Sequence, residues 1–306
     1  MSPTTNLSIV VDWGTSNFRA YLVDPNGQCL ERIDSADGLN NIESPFADVL
    51  IGHIAHWLQQ HGTLTTLMSG MVGSPNGWQH VPHLPGPISI AQLAQHSQLI
   101  NEFTPCPTWI VPGVSGTGTA GSFDVMRGEE VQYFGAQQWL NQHRMEPELL
   151  CFPGTHNKWL PFKPDELGSF STTMSGELFE LLSQQSILAH SIDPEANWSD
   201  TAFLAGIDHA TRPGGLLHHL FSVRSRNLSG EHTGATGESY LSGLIIGHEL
   251  SEMATAPASS IGIIGSHSLA QRYQSALRHR GFEAVCIDSE AATILGALAI
   301  MQRLPN

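Results

Sequence analysis

Apolar and polar positions near the start of the chain form two short runs on either side of a small polar turn. The first run, Ile9 to Val11, ends at the acidic residue Asp12, and the second run, residues 18–23, roughly alternates between apolar and polar side chains. This pattern predicts two β-strands joined as a hairpin. The tip of the hairpin would present hydroxyl groups, an amide and free backbone N–H groups. The turn residues are Gly14, Thr15, Ser16 and Asn17.

The same plan returns in the second half of the chain. An apolar run at residues 149–152 leads into a small polar turn at residues 153–158, and residues 159–162 are again mostly apolar. We therefore predict a second hairpin with a polar tip. Two such hairpins in one chain carry more weight than either alone, because a single short motif often occurs by accident.

The remaining segments alternate between strand-like and helix-like patterns. Apolar residues spaced three and four apart predict helices, and short apolar runs bounded by glycine or proline predict strands. This alternation indicates an α/β fold in which helices cover the sheets. Pro147 interrupts the chain, so we predict two domains, at residues 1–145 and 146–306. The predicted helices are residues 47–61, 91–103, 127–143, 178–190, 200–211, 216–227, 238–254, 269–280 and 290–303, and residues 114–124 are predicted to be a flexible glycine-rich loop.

Composition and charge disfavour several classes of partner. The chain has 306 residues and a formal net charge of −15, whereas nucleic acids and anionic membranes require a basic protein surface. No apolar run reaches the roughly 18 residues of a membrane span, and the N-terminal segment lacks the pattern of a signal peptide. The four cysteines are far apart and show no CxxC spacing. We expect a soluble, cytoplasmic protein with reduced cysteines and with neither a nucleic-acid nor a membrane partner.

One nucleotide-binding motif is present by letter but not in the context that it requires. Residues 116–121 read GTGTAG, which matches the GxGxxG pattern of dinucleotide-binding folds. That motif joins a strand directly to a helix, whereas residues 122–125 separate its last glycine from the next predicted helix. A dehydrogenase is therefore disfavoured. The sequence also contains no Walker A, GxSxG or HExxH motif, and its histidines lack companions at zinc-ligand spacing.

The two predicted turns have the chemistry of a phosphate-binding site. Asp12, at the end of the first strand, would hold Mg²⁺ directly or through water, because Mg²⁺ prefers oxygen ligands. The first turn would donate hydrogen bonds to nucleotide phosphates, and the second turn would hold the same phosphates. The second-turn residues with this predicted role are Gly154, Thr155, His156 and Lys158, and the strand end at Gly265 and Ser266 would seat the nucleoside or its phosphates.

Six motifs, in order over almost the whole chain, resemble those of one enzyme family. The opening segment VDWGTSNFRAYLVD is similar to the first phosphate motif of the sugar-kinase and actin superfamily. The more specific motifs together resemble the 2-dehydro-3-deoxygalactonokinase family, although each alone is weak evidence. They are MSGMVGSPNGW (68–78), VMRGEE (125–130), PGTHNKW (153–159), TMSGELFELL (173–182), LFSVRSR (220–226) and YLSGLIIGHEL (240–250).

This resemblance implies a fold, a reaction and two cofactors. The fold would be a two-domain actin-like ATPase (ribonuclease H-like) fold with the nucleotide in the interdomain cleft. The first domain would carry the sugar-acid site and the second domain the nucleotide site. The reaction would be phosphorylation of the 6-hydroxyl of 2-dehydro-3-deoxy-D-galactonate in galactonate catabolism, with ATP and Mg²⁺ as cofactors. The partners would be ATP and the sugar acid, and exposed helices in the second half leave a homodimer open.

The resemblance also implies a general base. Similar kinases keep an acid at the start of the helix that crosses from the first domain to the second, which is the position of Glu129 and Glu130 here. A carboxylate there would orient the sugar hydroxyl and accept its proton. Glu129 is the first candidate, Glu130 the second and Asp124 the third. Acids are also common in the first turn of a helix because they favour its dipole, so a purely structural role stays open.

Substrate contacts are expected from two segments of the first domain. Arg127 would form a bidentate pair with the substrate carboxylate or would partner the catalytic acid. Met71, Gly73 and Ser74 lie in a glycine-rich loop that would let the backbone approach the sugar acid. Two alternatives remain, namely a kinase that acts on another sugar acid, and a nucleotide-hydrolysing switch of the same superfamily without kinase activity.

Overall fold

A computed structural model describes residues 6–118, 121–254 and 260–305, which form an α/β fold. None of the helices in these ranges is both long enough and apolar enough to cross a membrane. The strands are β1 (Ser8–Trp13), β2 (Phe18–Val23), β3 (Cys29–Ser35), β4 (Thr65–Ser69), β5 (Leu84–Pro85), β6 (Gln98–Leu99), β7 (Thr108–Ile110), β8 (Val114–Thr117), β9 (Phe123–Met126), β10 (Leu149–Phe152), β11 (Asn157–Pro161), β12 (Ser171–Thr173), β13 (Ser260–Gly265) and β14 (Glu283–Asp288). The helices are α1 (Phe46–His61), α2 (Ile90–His96), α3 (Glu129–His143), α4 (Ser175–Gln185), α5 (Asp200–Ala210), α6 (Gly215–Ser229), α7 (Gly234–Met253), α8 (His267–His279) and α9 (Ser289–Met301).

The predicted first hairpin lies in a mixed sheet with the strand order β3-β2-β1-β4-β7-β6. Strands β1 and β2 pair antiparallel, with Asp12 opposite Arg19, and β1 pairs parallel with β4. The inward-facing side chains of the hairpin pack with those of α1 in one buried cluster, which includes Trp13, Phe18 and Trp57. Strand alternation and helical spacing therefore combine to bring these apolar side chains into one cluster.

The second half repeats the order of the first sheet. The strand order of its sheet is β12-β11-β10-β13-β14. Both sheets therefore begin with three strands in reverse chain order, followed by a strand that comes later in the chain. Strand β10 pairs parallel with β13, as β1 does with β4. A second buried cluster, which includes Trp159, Phe203 and Tyr273, covers this sheet. The predicted second hairpin is confirmed.

The chain divides into two compact units, and both are discontinuous in sequence. Unit 1 contains the described residues up to Glu146, Pro161–Ser171 and the chain from Ile287 onward, and unit 2 contains Pro147–Leu160 and Thr172–Cys286. The predicted division at residues 145 and 146 differs from this one, because it left both returning segments in the second domain. The physical reason lies in the packing of α9.

Helices α3 and α9 cross with their backbones in close contact. A Cβ atom at Gly135 would lie 1.7 Å from the carbonyl oxygen of Ala292, and one at Gly296 would lie 2.0 Å from that of Val131. Each helix therefore carries a glycine where the other helix passes. Helical periodicity shows that a face is apolar but not which helix covers it, so the sequence did not reveal this pairing.

Two predicted segments differ from the structure. Helix α2 ends at His96 and not at residue 103, because the Ser97 hydroxyl donates to the Leu93 carbonyl and the chain then enters β6. Within residues 114–124 the prediction of a flexible loop is wrong, since β8 and β9 pair antiparallel there. The GxGxxG letters thus fall in a β-hairpin and not between a strand and a helix, and the part of them at residues 119–120 lies outside the described residues.

Candidate active site

The tip of the first hairpin is held in place by the loop that follows β3. The Leu39 N–H donates to the Gly14 carbonyl at 3.1 Å, and the Asn40 N–H donates to the Thr15 carbonyl at 3.0 Å. A Cβ atom at Gly38 would lie 2.2 Å from the carbonyl carbon of Ser16, so the loop contacts the turn directly. The loop engages backbone carbonyls and leaves the side chains of residues 15–17 exposed. The turn can therefore meet a ligand without rearranging.

Asp12 stands at the end of β1 with one carboxylate oxygen engaged. Its Oδ2 accepts from Arg19 Nη1 at 3.1 Å. Burial raises the pKa of Asp12, while the Arg19 guanidinium acts in the opposite direction. The Oδ1 atom faces Gly70, whose φ is +93° and where a Cβ atom would lie 2.7 Å from the Trp13 carbonyl and 3.4 Å from Oδ1 itself. Glycine at this position leaves space beside the second oxygen.

The donor chemistry at Asp12 fits Mg²⁺. In the described ranges, no three His, Cys, Asp or Glu side chains are grouped to hold a metal ion. A cage built from protein ligands alone is therefore not the arrangement here. Mg²⁺ in nucleotide-dependent enzymes is held by one or two carboxylates together with water and phosphate oxygens, and Asp12 Oδ1 suits that role.

The glycine-rich loop after β4 brings Ser74 into the interior of unit 1. A 3-10 turn at Met71–Gly73 follows the strand, and Met71 accepts from the Ser74 N–H through its carbonyl at 2.9 Å. Ser74 is buried, and its Oγ has no hydrogen-bond partner among the described residues. A buried hydroxyl without a partner costs free energy unless a ligand or water completes it.

Arg127 lies against this loop, and only one of its two terminal amino groups has a hydrogen-bond partner among the described residues. A Cβ atom at Gly73 would lie 2.8 Å from Arg127 Nη1, so the guanidinium lies directly against the backbone there. Its Nη2 donates to the Val81 carbonyl at 2.7 Å, whereas its buried Nη1 finds no acceptor in the described part of the chain. Burial lowers the pKa of Arg127. The free amino group is available to an anionic ligand.

Glu129 and Glu130 begin helix α3 and fold back onto the residues before it. Glu129 Oε2 accepts from the Arg127 N–H at 3.2 Å, and Glu130 Oε2 accepts from the Gly128 N–H at 2.7 Å. Glu130 is fully buried, and its Oε1 has no partner among the described residues. Burial, aided by the nearby charge of Glu129, raises the pKa of Glu130 to about 8. Glu129 is partly exposed.

His83 is a residue of this site that the sequence analysis missed. Hydrogen bonds hold the chain on both sides of His83. The Val81 N–H donates to the Gly73 carbonyl, and the Val81 carbonyl accepts from Arg127 Nη2. The Leu84 N–H donates to the Gly113 carbonyl at 2.9 Å. A Cβ atom at Gly113 would lie 2.6 Å from the imidazole Cδ2. Burial, with the charges of Arg127 and His80, lowers the pKa of His83. The clustering of histidines between two glycine-rich segments was the available signal.

Unit 1 thus brings most of its predicted residues together. Three segments approach one another at the glycines with positive φ at positions 70 and 128. They are the end of β1, the loop after β4 and the start of α3. A Cβ atom at Gly128 would lie 3.6 Å from Gly70 Cα. Asp12, Ser74, Arg127 and the two glutamates belong to these three segments. Asp124 instead pairs with Gly116 in the β8–β9 hairpin, and its Oδ1 accepts from the Val125 N–H.

The tip of the second hairpin presents a different set of groups. Thr155 and His156 are exposed, and within the described ranges their N–H groups have no acceptor. The Gly154 N–H, in contrast, is taken by Asn157 Oδ1 at 2.7 Å. Lys158 is buried and its Nζ lies 3.4 Å from the His156 carbonyl, so it is not a surface lysine. Of the four predicted residues, the two exposed ones are the best placed to meet phosphate.

Two helix N-termini of unit 2 converge on the same turn. A Cβ atom at Gly176, in the first turn of α4, would lie 2.1 Å from the Gly154 carbonyl. The imidazole of His156 is hydrogen-bonded to Glu177. A Cβ atom at Gly265, before α8, would lie 3.1 Å from Pro153 Cγ. Ser266 is the exposed N-cap of α8. A cavity beside the turn is lined by Gly154, Asn157, Gly176, Phe179, Ile245 and Leu269, among others.

Comparison with known proteins gives a family match over nearly the whole chain. The family described as 2-keto-3-deoxy-galactonokinase matches residues 12–300. The 2-dehydro-3-deoxygalactonokinase of Escherichia coli (strain K12) is 31% identical over 303 residues, which cover 97% of this chain and 98% of that protein. The six motifs quoted above are thus part of a similarity that extends across both units.

Solved structures agree in fold. A crystal structure from Sinorhizobium meliloti, provisionally described as a 2-dehydro-3-deoxygalactonokinase, superposes with a TM-score of 0.86 at 29% identity and covers 96% of this chain and 98% of its own. Component A of the Acidaminococcus fermentans (R)-2-hydroxyglutaryl-CoA dehydratase has a TM-score of 0.52 at 9% identity over 97% and 98%, which bears on the fold alone. The predicted actin-like ATPase fold is confirmed, and the chain belongs to the 2-keto-3-deoxy-galactonokinase family.

Proposed function

We propose that this protein is an ATP-dependent kinase that transfers a phosphoryl group to the 6-hydroxyl of 2-dehydro-3-deoxy-D-galactonate. One observation carries the placement of the sugar acid. Ser74 Oγ, Arg127 Nη1 and Glu130 Oε1 are buried and have no hydrogen-bond partner among the described residues, and all three belong to unit 1. A polar, anionic substrate would supply the missing partners, because buried polar groups are normally satisfied.

The acidic end of the substrate is assigned to Arg127 and His83. A carboxylate accepts well from a guanidinium, and Arg127 already spends one amino group on the Val81 carbonyl. Its second amino group faces Gly73, where no side chain competes. His83 lies close enough to Arg127 for the guanidinium charge to lower its pKa, and an anion bound beside both residues would favour the protonated imidazole. The backbone of Met71 and Gly73 would border the sugar-acid chain.

Glu129 is assigned as the general base. Glu130, with a pKa of about 8, is mostly protonated at neutral pH and can donate but not accept a proton. Glu129 is partly exposed and keeps the Arg127 N–H as a hydrogen-bond donor, which orients its carboxylate. It would accept the proton of the 6-hydroxyl as the oxygen forms its bond to the γ-phosphorus. The bond from that phosphorus to the ADP oxygen breaks in the same transfer.

The nucleotide is assigned to unit 2 and to the first hairpin. The exposed N–H groups of Thr155 and His156 and the start of α4 would receive phosphate oxygens, as helix N-termini favour anions. The cavity between α4, α7 and α8 would take the nucleoside. The N–H and side-chain groups of the turn at residues 14–17 would also donate to phosphate oxygens. Asp12 would hold Mg²⁺, which when bound would supply positive charge against the charge that develops during transfer.

A coupled assay of ADP release tests the proposal. ATP is supplied with 2-dehydro-3-deoxy-D-galactonate and a panel of other sugar acids, and we expect the highest kcat/KM on the named compound. Glu129→Gln should lower kcat by about 10²-fold or more with little change in the ATP KM. ADP release that no sugar acid stimulates would instead identify a nucleotide-hydrolysing switch.

A further inference from the structure

The interior of unit 2 contains a carboxylate that the proposed reaction does not use. Glu249 lies near the end of α7, which is otherwise rich in buried apolar residues, and only 6% of its surface is exposed. Burying an ionisable carboxylate is costly unless it is fully hydrogen-bonded. An apolar side chain of similar volume often stabilises a core as well or better. The presence of Glu249 therefore calls for a reason beyond packing.

Among the described residues, every hydrogen-bond partner of Glu249 is a donor. Oε1 accepts from Trp159 Nε1 at 2.6 Å and from Thr173 Oγ1 at 2.8 Å, and Oε2 accepts from the Tyr273 hydroxyl at 2.6 Å. Asn157 Nδ2 donates to both oxygens, at 2.9 and 3.0 Å. An ionised carboxylate accepts only, so it satisfies all four donors at once, which an amide or a hydroxyl cannot do.

These donors connect Glu249 to the polar turn. The amide of Asn157 is fixed by Glu249 on its nitrogen side, and its oxygen accepts the Gly154 N–H at 2.7 Å. Asn157 is thus oriented with its oxygen toward the turn, and the Gly154 N–H is turned inward. The exposed N–H groups of Thr155 and His156 are the ones left for a ligand.

A second route leads from Glu249 to the start of α4. Thr173 donates its hydroxyl proton to Glu249, so its oxygen is directed to accept from Ser175 Oγ, 3.2 Å away. Ser175 is the first residue of α4, and the adjacent Gly176 lies against the Gly154 carbonyl. One buried carboxylate therefore sets both the turn and the helix N-terminus that faces it.

We propose that Glu249 is a positioning residue for nucleotide binding, which acts through Asn157 on the turn at residues 153–156 and through Thr173 on the start of α4. This inference rests on the proposed assignment of the nucleotide phosphates to that turn. Glu249 does not touch the nucleotide. It holds the backbone N–H groups in the direction from which phosphate oxygens are received, so the site needs no reorganisation on binding.

The test is a double-mutant cycle on Glu249 and Asn157, read by calorimetric titration with Mg-ATP in the absence of sugar acid. In Glu249→Gln the new NH₂ faces groups that are themselves donors, so at least one of them loses its acceptor. We expect Mg-ATP affinity to fall by about tenfold or more in Glu249→Gln and in Asn157→Ala, because each leaves the turn without its anchor. The double variant should be little worse than either single one.

Matched controls separate positioning from general stability. Tyr273→Phe removes one donor of the Glu249 network, whereas Tyr133→Phe removes a buried hydroxyl in unit 1 that bonds the carbonyls of Lys163 and Glu166. We expect weaker Mg-ATP binding in the first and unchanged binding in the second, even if both lower the unfolding temperature alike. If Glu249→Gln does not fold, the comparison of these two tyrosine variants decides.

Three results would overturn the inference. The first is a folded Glu249→Gln variant that binds Mg-ATP as tightly as the wild-type protein. The second is a double variant whose loss of affinity equals the sum of the two single losses. The third is a rise in the KM for ATP that is matched by an equal rise in the KM for the sugar acid. Failure of the wild-type protein to bind Mg-ATP is a different outcome, since it would refute the proposed function itself.

Discussion

Glu130 offers a pH-dependent test of the site that is independent of activity. The carboxyl is fully buried, one of its oxygens has no partner within the described residues, and its pKa is raised to about 8 from an ordinary 4.5. The native state therefore binds this proton more tightly than the unfolded chain between those two values. Stability contributed by the neutral form is complete below pH 4.5 and is lost as the pH rises through about 8.

The magnitude follows from the same two pKa values. At about 1.4 kcal/mol for each tenfold change in proton affinity, ionising Glu130 in place costs roughly 5 kcal/mol. Glu130→Gln keeps an acceptor for the Gly128 N–H but has no proton to lose. The variant should therefore match the wild-type protein near pH 5 and exceed it by several kcal/mol near pH 9.

Urea unfolding of both proteins at pH 5, 7 and 9 measures this difference. The control is Glu129→Gln, which removes the neighbouring, partly exposed carboxylate and leaves the Glu130 carboxyl in place. We expect the gap between Glu130→Gln and wild type to open with rising pH. Parallel pH profiles of the two proteins would show that the pKa of Glu130 is not raised in the folded protein, and the reasoning from its burial would then be wrong.

Three further results are expected. Asp12→Asn should weaken Mg-ATP binding by about tenfold and shift the Mg²⁺ dependence to higher concentration, because it removes the charge that draws a hard cation; an unchanged Mg²⁺ titration would exclude the metal role. Arg127→Lys and His83→Phe should each raise the sugar-acid KM by about three- to tenfold and leave the ATP KM alone in steady-state kinetics. Gly135→Ala should lower the free energy of unfolding by about 1–3 kcal/mol in urea titrations, since its Cβ atom would overlap Ala292. Gly52→Ala in α1, with no atom within 4 Å, should cost nothing.

Much of the fold could be predicted because local patterns determine it. The β1–β2 hairpin follows from two apolar runs around a four-residue polar turn, and α1 ends at His61, before Gly62, whose φ is +80°. The hairpin at β8–β9 was missed because glycines dilute its alternation, and what defines it is pairing with β5 and contact of Gly116 with Phe170. Such long-range contacts leave little trace in a short window of sequence.

The site was predictable in its residue types but not in its contacts. Asp12, Arg127 and the glutamates stand beside glycines or at element ends, where polar residues in an apolar context attract notice. Which of their atoms lack partners could not be read from the sequence, since burial of Arg127 Nη1 depends on Gly73 and on the segment at Val81. His83 and Glu249 were overlooked for the same reason, because their significance lies in neighbours distant along the chain.

The crossing of α3 and α9 has a consequence for the order in which the protein is made. The face of α3 that carries Gly135 is covered by α9. This face stays uncovered until the residues after 287 have left the ribosome. Domains generally fold as they are synthesised. Here unit 1 starts first and its last segment begins at Ile287, so all of unit 2 is translated before that segment. A nascent chain would thus complete the strands and helices of unit 2 before α9 can pack on α3 and complete unit 1.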